Sequence, residues 1–140
     1  MGVIYMKKTH RKLAREKAVF AIYQWRLIAA SLEEIEMFLE TDKRMREDAE
    51  ARVFALDIIE NIMQNYAGYR LDICCYLKQG WTFERLSYLE QAILLVACAE
   101  LKTADLDKKI IINEAVELTK EYCDESSYRF INGILTHIEA

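Results

Sequence analysis

Proline is absent from this 140-residue chain, and glycine occurs only four times. Both shortages remove the residues that punctuate hairpins and tight turns, so strand-rich architectures lose their main local support and an all-α fold leads. No uninterrupted apolar run approaches the roughly 20 residues that a membrane-spanning helix needs. The opening MGVIYMKKTHRK sets its short apolar piece ahead of its basic one, the reverse of a signal peptide, and Met6 is a second candidate start. Cys74, Cys75, Cys98 and Cys123 lack C-x-x-C spacing, and the two histidines, His10 and His137, stand near opposite ends. That pattern speaks against a zinc site and for reduced, mostly buried thiols. Glycine-rich phosphate cradles and the G-x-S-x-G elbow are missing too. The acidic pairs Glu33-Glu34 and Asp124-Glu125 fall at helix starts, where they complement the dipole without catalytic work. A protein with no enzymatic activity, metal or cofactor is expected.

What the chain does have is helical periodicity. With 53% hydrophobic and 30% charged residues it reads as one globular domain spanning residues 1–140, residues 1–8 forming a flexible basic arm. A first helix is expected from an N-cap at Thr9 to Ala29, with Ala14, Ala18, Ala21, Ile22, Trp25 and Ala29 on its apolar face. Ser31 with Glu34 forms a capping box for a second helix at 32–40. A charged linker, 41–46, leads to a long helix at 47–66 whose core positions are Val53, Leu56, Ile59 and Met63, closed by Gly68. A shorter helix at 69–77 is broken by Gly80-Trp81. Ser87 with Glu90 is a second capping box, launching a helix at 88–101. That helix is apolar nearly all round and should be the most buried element.

Two further helices finish the chain. Ile111, Ala115, Leu118 and Tyr122 share one face of the first, and Ile131, Ile134, Leu135 and Ile138 do so in the second. The corner from Cys123 to Ser127 should supply a hydroxyl N-cap. Asn113 and Asn132 are expected to satisfy buried backbone or loop groups. The total is a compact bundle of about seven helices.

Net charge is −4, yet the distribution is lopsided. Residues 1–17 carry Lys7, Lys8, Arg11, Lys12, Arg15 and Lys17 against Glu16 alone, leaving an acidic body behind a basic head. Such asymmetry points to a localised polyanion contact. Arg11 and Arg15 are i, i+4 neighbours, and Lys8, Lys12 and Arg15 can share a face, which would offer a stripe of donors to phosphates. Tyr23 is either a stacking surface for an unpaired base or a packing residue. Around the corner, Ser126 and Ser127 can donate to phosphate, Lys120 adds charge, and Tyr128 can stack. Asp124 and Glu125 would repel phosphate there.

Three segments carry a family resemblance. INEAVEL (Ile112 to Leu118) with ESSYRFINGIL (Glu125 to Leu135), RKLAREKAVFAIYQW (Arg11 to Trp25) and LSYLEQAILLVACAEL (Leu86 to Leu101) together resemble the NusB family of bacterial transcription antitermination factors. The likeness spans roughly residues 7 to 138 and implies seven helices in two packed helical subdomains. It also implies a cytoplasmic factor that binds boxA single-stranded RNA together with NusE (ribosomal protein S10). Such a factor supports transcription of ribosomal RNA operons within the RNA polymerase antitermination complex.

Carried onto matching positions, the resemblance assigns Lys8, Arg11, Lys12 and Arg15 to RNA, with Lys120, Ser126 and Tyr128 at the corner. It assigns Tyr23, Glu90 and Phe130 to the protein partner. The chain departs from the family at Asp107, where many members have proline, so that turn must be set another way. Gln91 and Leu95 replace residues that are often basic; if they face outward, the surface is stickier, and a homodimer stays open. A NusB-like domain also opens some ribosomal RNA cytosine methyltransferases, but a chain ending at Ala140 leaves no room for a catalytic domain. The rival reading is a helical protein-interaction module without specific RNA binding.

Overall fold

The computed structural model describes residues 8–139, with side chains from His10 onward. Residues 1–7 of the expected basic arm, and the side chain of Lys8, therefore lie outside the described residues. Among the described residues seven α-helices run in order: α1 (Lys8–Ile28), α2 (Leu32–Glu40), α3 (Lys43–Arg46), α4 (Ala49–Cys74), α5 (Tyr88–Thr103), α6 (Lys108–Tyr122) and α7 (Ser127–His137). A 3-10 turn, Phe83–Arg85, precedes α5. Among the described residues no helix is long and apolar enough to cross a membrane.

Helix α5 organises the rest. Every residue from Gln91 to Leu101 is buried, as all-round hydrophobicity requires of a helix with neighbours on each side. It packs against α1 and α4 on one side and against α6 and α7 on the other, joining two helical subdomains. Gln91 and Leu95 both face inward, so the stickier outer surface considered from the sequence does not exist. Gln91 instead donates to the carbonyls of Phe83 and Leu86 and accepts from Arg26 Nε at 3.0 Å, fixing the 3-10 turn against α1. Arg26 also lies 4.7 Å from the Tyr66 ring centroid, and Trp25 meets the same ring edge-on at 5.3 Å.

Both capping boxes form, Ser31 with Glu34 and Ser87 with Glu90. The turn before α6 is set by Asp107, whose carboxylate accepts from the Lys109 N–H at 2.9 Å and caps the helix.

Several expectations change. Thr9 lies inside α1 rather than capping it. The linker at 41–46 contains α3, capped by Asp42 and anchored by the buried Met45. The helices expected at 47–66 and 69–77 are one helix, α4, kinked at Asn65 (φ −116°, ψ 16°), where the Asn65 amide donates to the Asn61 carbonyl at 2.8 Å. Gly68 does not end it. Burial of Tyr69 and Ile73 beyond the glycine outweighs the roughly 1 kcal/mol that an interior glycine costs. Val53 is 58% exposed, outside the core assigned to it, because the buried face of α4 runs through Ala51, Ala55, Ile58, Ile59 and Ile62 and leaves position 53 on the opposite side. Asn113 and Asn132 are exposed rather than buried.

Ala29 also leaves the apolar face. Its φ is +53°, and its N–H closes α1 on the Trp25 carbonyl at 3.0 Å. A side chain with a Cβ is strained there, a position that glycine usually fills. Replacing Ala29 with glycine should therefore raise the unfolding free energy by up to about 1 kcal/mol in urea denaturation. A drop would mean that no strain is stored at this turn.

Candidate nucleic-acid interface

The basic head of α1 divides between an inner and an outer role. Arg15 turns inward, 4% exposed, and its guanidinium forks onto Glu100 of α5: Nε to Oε1 at 2.8 Å and Nη2 to Oε2 at 2.9 Å. Glu114 of α6 stands 3.7 Å away as a second acceptor of that charge. Burial pushes the Glu100 carboxyl up, and Arg15 pulls it back toward the ionised form. Arg15 therefore departs from the expected stripe of phosphate donors. Its donors are committed inside the protein, where a bidentate fork suits a buried carboxylate.

Lys12 and Arg44 are exposed but engaged, and Lys17 is partly buried. Lys12 reaches Glu117 at 3.0 Å and Glu114 at 4.0 Å, both on α6. Lys17 and Arg44 converge on Asp42, at 3.0 and 2.9 Å. Arg11 is partly buried and has a partner of its own. Farther along, Phe20 of α1 meets Tyr122 of α6 edge-on, centroids 5.0 Å apart. The α6–α7 corner, which follows Tyr122, thus sits beside the middle of α1.

That corner gathers charge around one ring. Lys120 Nζ lies 4.7 Å and the Arg129 guanidinium 5.9 Å from the Tyr128 centroid. Arg129 accordingly holds the Tyr128 phenol below its ordinary range. Ser126 is exposed and makes no side-chain cap, contrary to the expected hydroxyl N-cap. Ser127 is the buried serine, and its hydroxyl donates to Glu90 Oε2 at 2.6 Å. Glu90 is thus occupied on both oxygens, since Oε1 accepts from the Ser87 N–H at 2.9 Å. Tyr23 is half-buried and packs on the core.

Phe130 belongs to a different surface. It lines a groove of about 430 Å³ with Tyr76, Leu77, Trp81, Leu86 and His137. Tyr76 and His137 stack at 5.5 Å on its rim, and Arg85 covers Trp81 at 4.7 Å. In the sequence Trp81 signals only a helix break, because nothing local pairs it with the distant Phe130.

The family described as the NusB family matches residues 12–140. The chain belongs to the NusB family. It is 37% identical over 131 residues to the transcription antitermination protein NusB of Pseudoalteromonas atlantica, covering 93% of this chain and 91% of that protein. It is 37% identical over 99 residues to the protein of the same name from Lactococcus lactis, covering 71% of this chain. This second match spans only 52% of the Lactococcus protein. Among solved structures, NusB of T. maritima superposes with a TM-score of 0.81 at 31% identity, covering 95% of this chain and 92% of that one. NusB in a complex described as antitermination factors NusB and NusE with dsRNA superposes at 0.80 and 25% identity, covering 94% and 97%.

Lys12 thus faces α6, Lys120, Ser126 and Tyr128 lie at the α6–α7 corner, and Phe130 faces the groove. Sequence reasoning missed the carboxylates that hold the cations, chiefly Glu117 and Asp42. The i, i+3, i+7 spacing of Glu114, Glu117 and Glu121 was the available signal.

Two outcomes follow. Truncating Arg15 to alanine leaves Glu100 buried without its partner and should cost about 3–5 kcal/mol in chemical denaturation, whereas replacing both residues with leucine should recover most of that loss. Asp42 is held well below the usual carboxylate range by Arg44 first and Lys17 second. Its contribution is therefore full above its unfolded value of about 4 and is lost as pH falls through the acid range toward the lowered folded value. Asp42→Asn should destabilise the protein at pH 7, and its unfolding midpoint should converge on the parent's below about pH 4. A gap independent of pH would rule out the ion pairs as its cause.

Proposed function

We propose that this protein is a transcription antitermination factor that binds boxA-type single-stranded RNA together with NusE. It acts in the cytoplasm, within the RNA polymerase antitermination complex on ribosomal RNA operons. The observation that carries the reading is the Lys120–Tyr128–Arg129 corner, an aromatic ring flanked by two cations, in a chain of this family. Cations beside an aromatic ring suit a strand whose phosphates meet the charges and whose unpaired base stacks. The mechanism is binding rather than catalysis. Lys8, Arg11 and Lys12 neutralise phosphates, Lys120 and Ser126 extend the track, and Tyr128 contacts a base. Arg15 supports the site from within by fixing α1 on α5.

Tyr23, Glu90 and Phe130 remain the partner-facing assignment. Glu90 acts there through the α7 start that it holds, and Phe130 through the apolar groove. That groove is also the specific observation favouring the rival, a protein-interaction module without RNA affinity, whether for a different partner or a second copy.

Fluorescence anisotropy of boxA RNA against a scrambled RNA, with and without NusE at two salt concentrations, separates the two readings. Selective binding that tightens with NusE is expected. Lys12→Ala and Lys120→Ala should each weaken it and flatten the slope of log affinity against log salt by about 0.7 per lost phosphate contact. Equal binding to both RNAs, or none with NusE present, would favour the protein-interaction module.

A further inference from the structure

The cations offered to RNA are not idle. Lys12 Nζ sits 3.0 Å from Glu117 Oε2 and 4.0 Å from Glu114, while Lys17 and Arg44 share Asp42. A cavity of about 330 Å³ between α1 and α6 is edged by Glu16, Glu114, Glu117 and Glu121. The two acids at Lys12 differ in freedom. The Glu117 side chain is 61% exposed and can swing into water, whereas Glu114 is 11% exposed and stands against Arg15. We infer that Glu117 is the counter-ion that an RNA phosphate must displace to reach Lys12, with Glu114 as a fixed acid behind it. Glu117 is thereby a determinant of how tightly this protein holds RNA.

The inference rests on the RNA-binding reading and adds its regulation. A phosphate approaching Lys12 exchanges one anionic partner for another, so the net gain is smaller than for a free lysine. Non-specific polyanions, which depend on charge alone, are held down by the same exchange. In the free protein Lys12 binds its proton more firmly than usual because it donates to Glu117 and lies beside Glu114.

The test is a cycle of Glu117→Gln, Lys12→Ala and the double variant, titrated with boxA RNA and scrambled RNA. Glu36→Gln, an exposed α2 carboxylate, controls for net charge. Glu117→Gln should tighten both RNAs about two- to five-fold, the range expected for releasing an exposed ion pair. The gain should vanish on the Lys12→Ala background and exceed that of Glu36→Gln. Equal unfolding midpoints for parent and Glu117→Gln verify that the fold is intact. A gain that matches Glu36→Gln, or that survives without Lys12, overturns the inference while leaving RNA binding standing. A parent protein that binds neither RNA overturns both.

Discussion

The structure depends on one buried ion pair, Arg15 of α1 with Glu100 of α5. The two residues are 85 positions apart in sequence, and each is nearly inaccessible to solvent. Such a pair adds little net stability over an apolar substitute, but removing one member strands a charge. Its value lies in register. The fork agrees with the buried face of Ala14, Ala18, Ala21 and Ile22 on one rotation of α1, and that rotation decides which basic residues face outward.

The consequences spread from this constraint. With Arg15 turned in, Lys12 falls opposite the acids of α6, and Phe20 falls against Tyr122. The α6–α7 corner comes beside α1, and Ser127 ties the start of α7 back to Glu90 at the head of α5. The two helical subdomains thus meet along α1 and α5.

Local signals in the sequence were legible, and tertiary ones were not. Ser31–Glu34 and Ser87–Glu90 are complete within four residues, so both capping boxes could be read directly. The burial of α5 was legible because its apolar residues leave no polar face. The continuity of α4 was not. Gly68 is a local stop signal, and only burial of Tyr69 and Ile73 against distant helices overrides it. Asp107 could be recognised as a departure from proline, but its N-cap geometry only followed from the structure. The same limit explains Arg15. Its spacing from Arg11 suggests a shared stripe, while the carboxylate that claims it lies two-thirds of the way along the chain. Phe130 and Trp81 meet in one groove for reasons that no window of sequence contains.

The central claim is that RNA lies on the outer face of α1 and the α6–α7 corner while Arg15 stays inside. Amide and side-chain NMR shifts, followed as boxA RNA is added to the NusE-bound protein, test it most directly. Changes concentrated at Arg11, Lys12, Lys120, Ser126 and Tyr128 are expected, with the Arg15 guanidinium signals unmoved. Changes confined to α2 through α4, or a displaced Arg15 guanidinium, would contradict it.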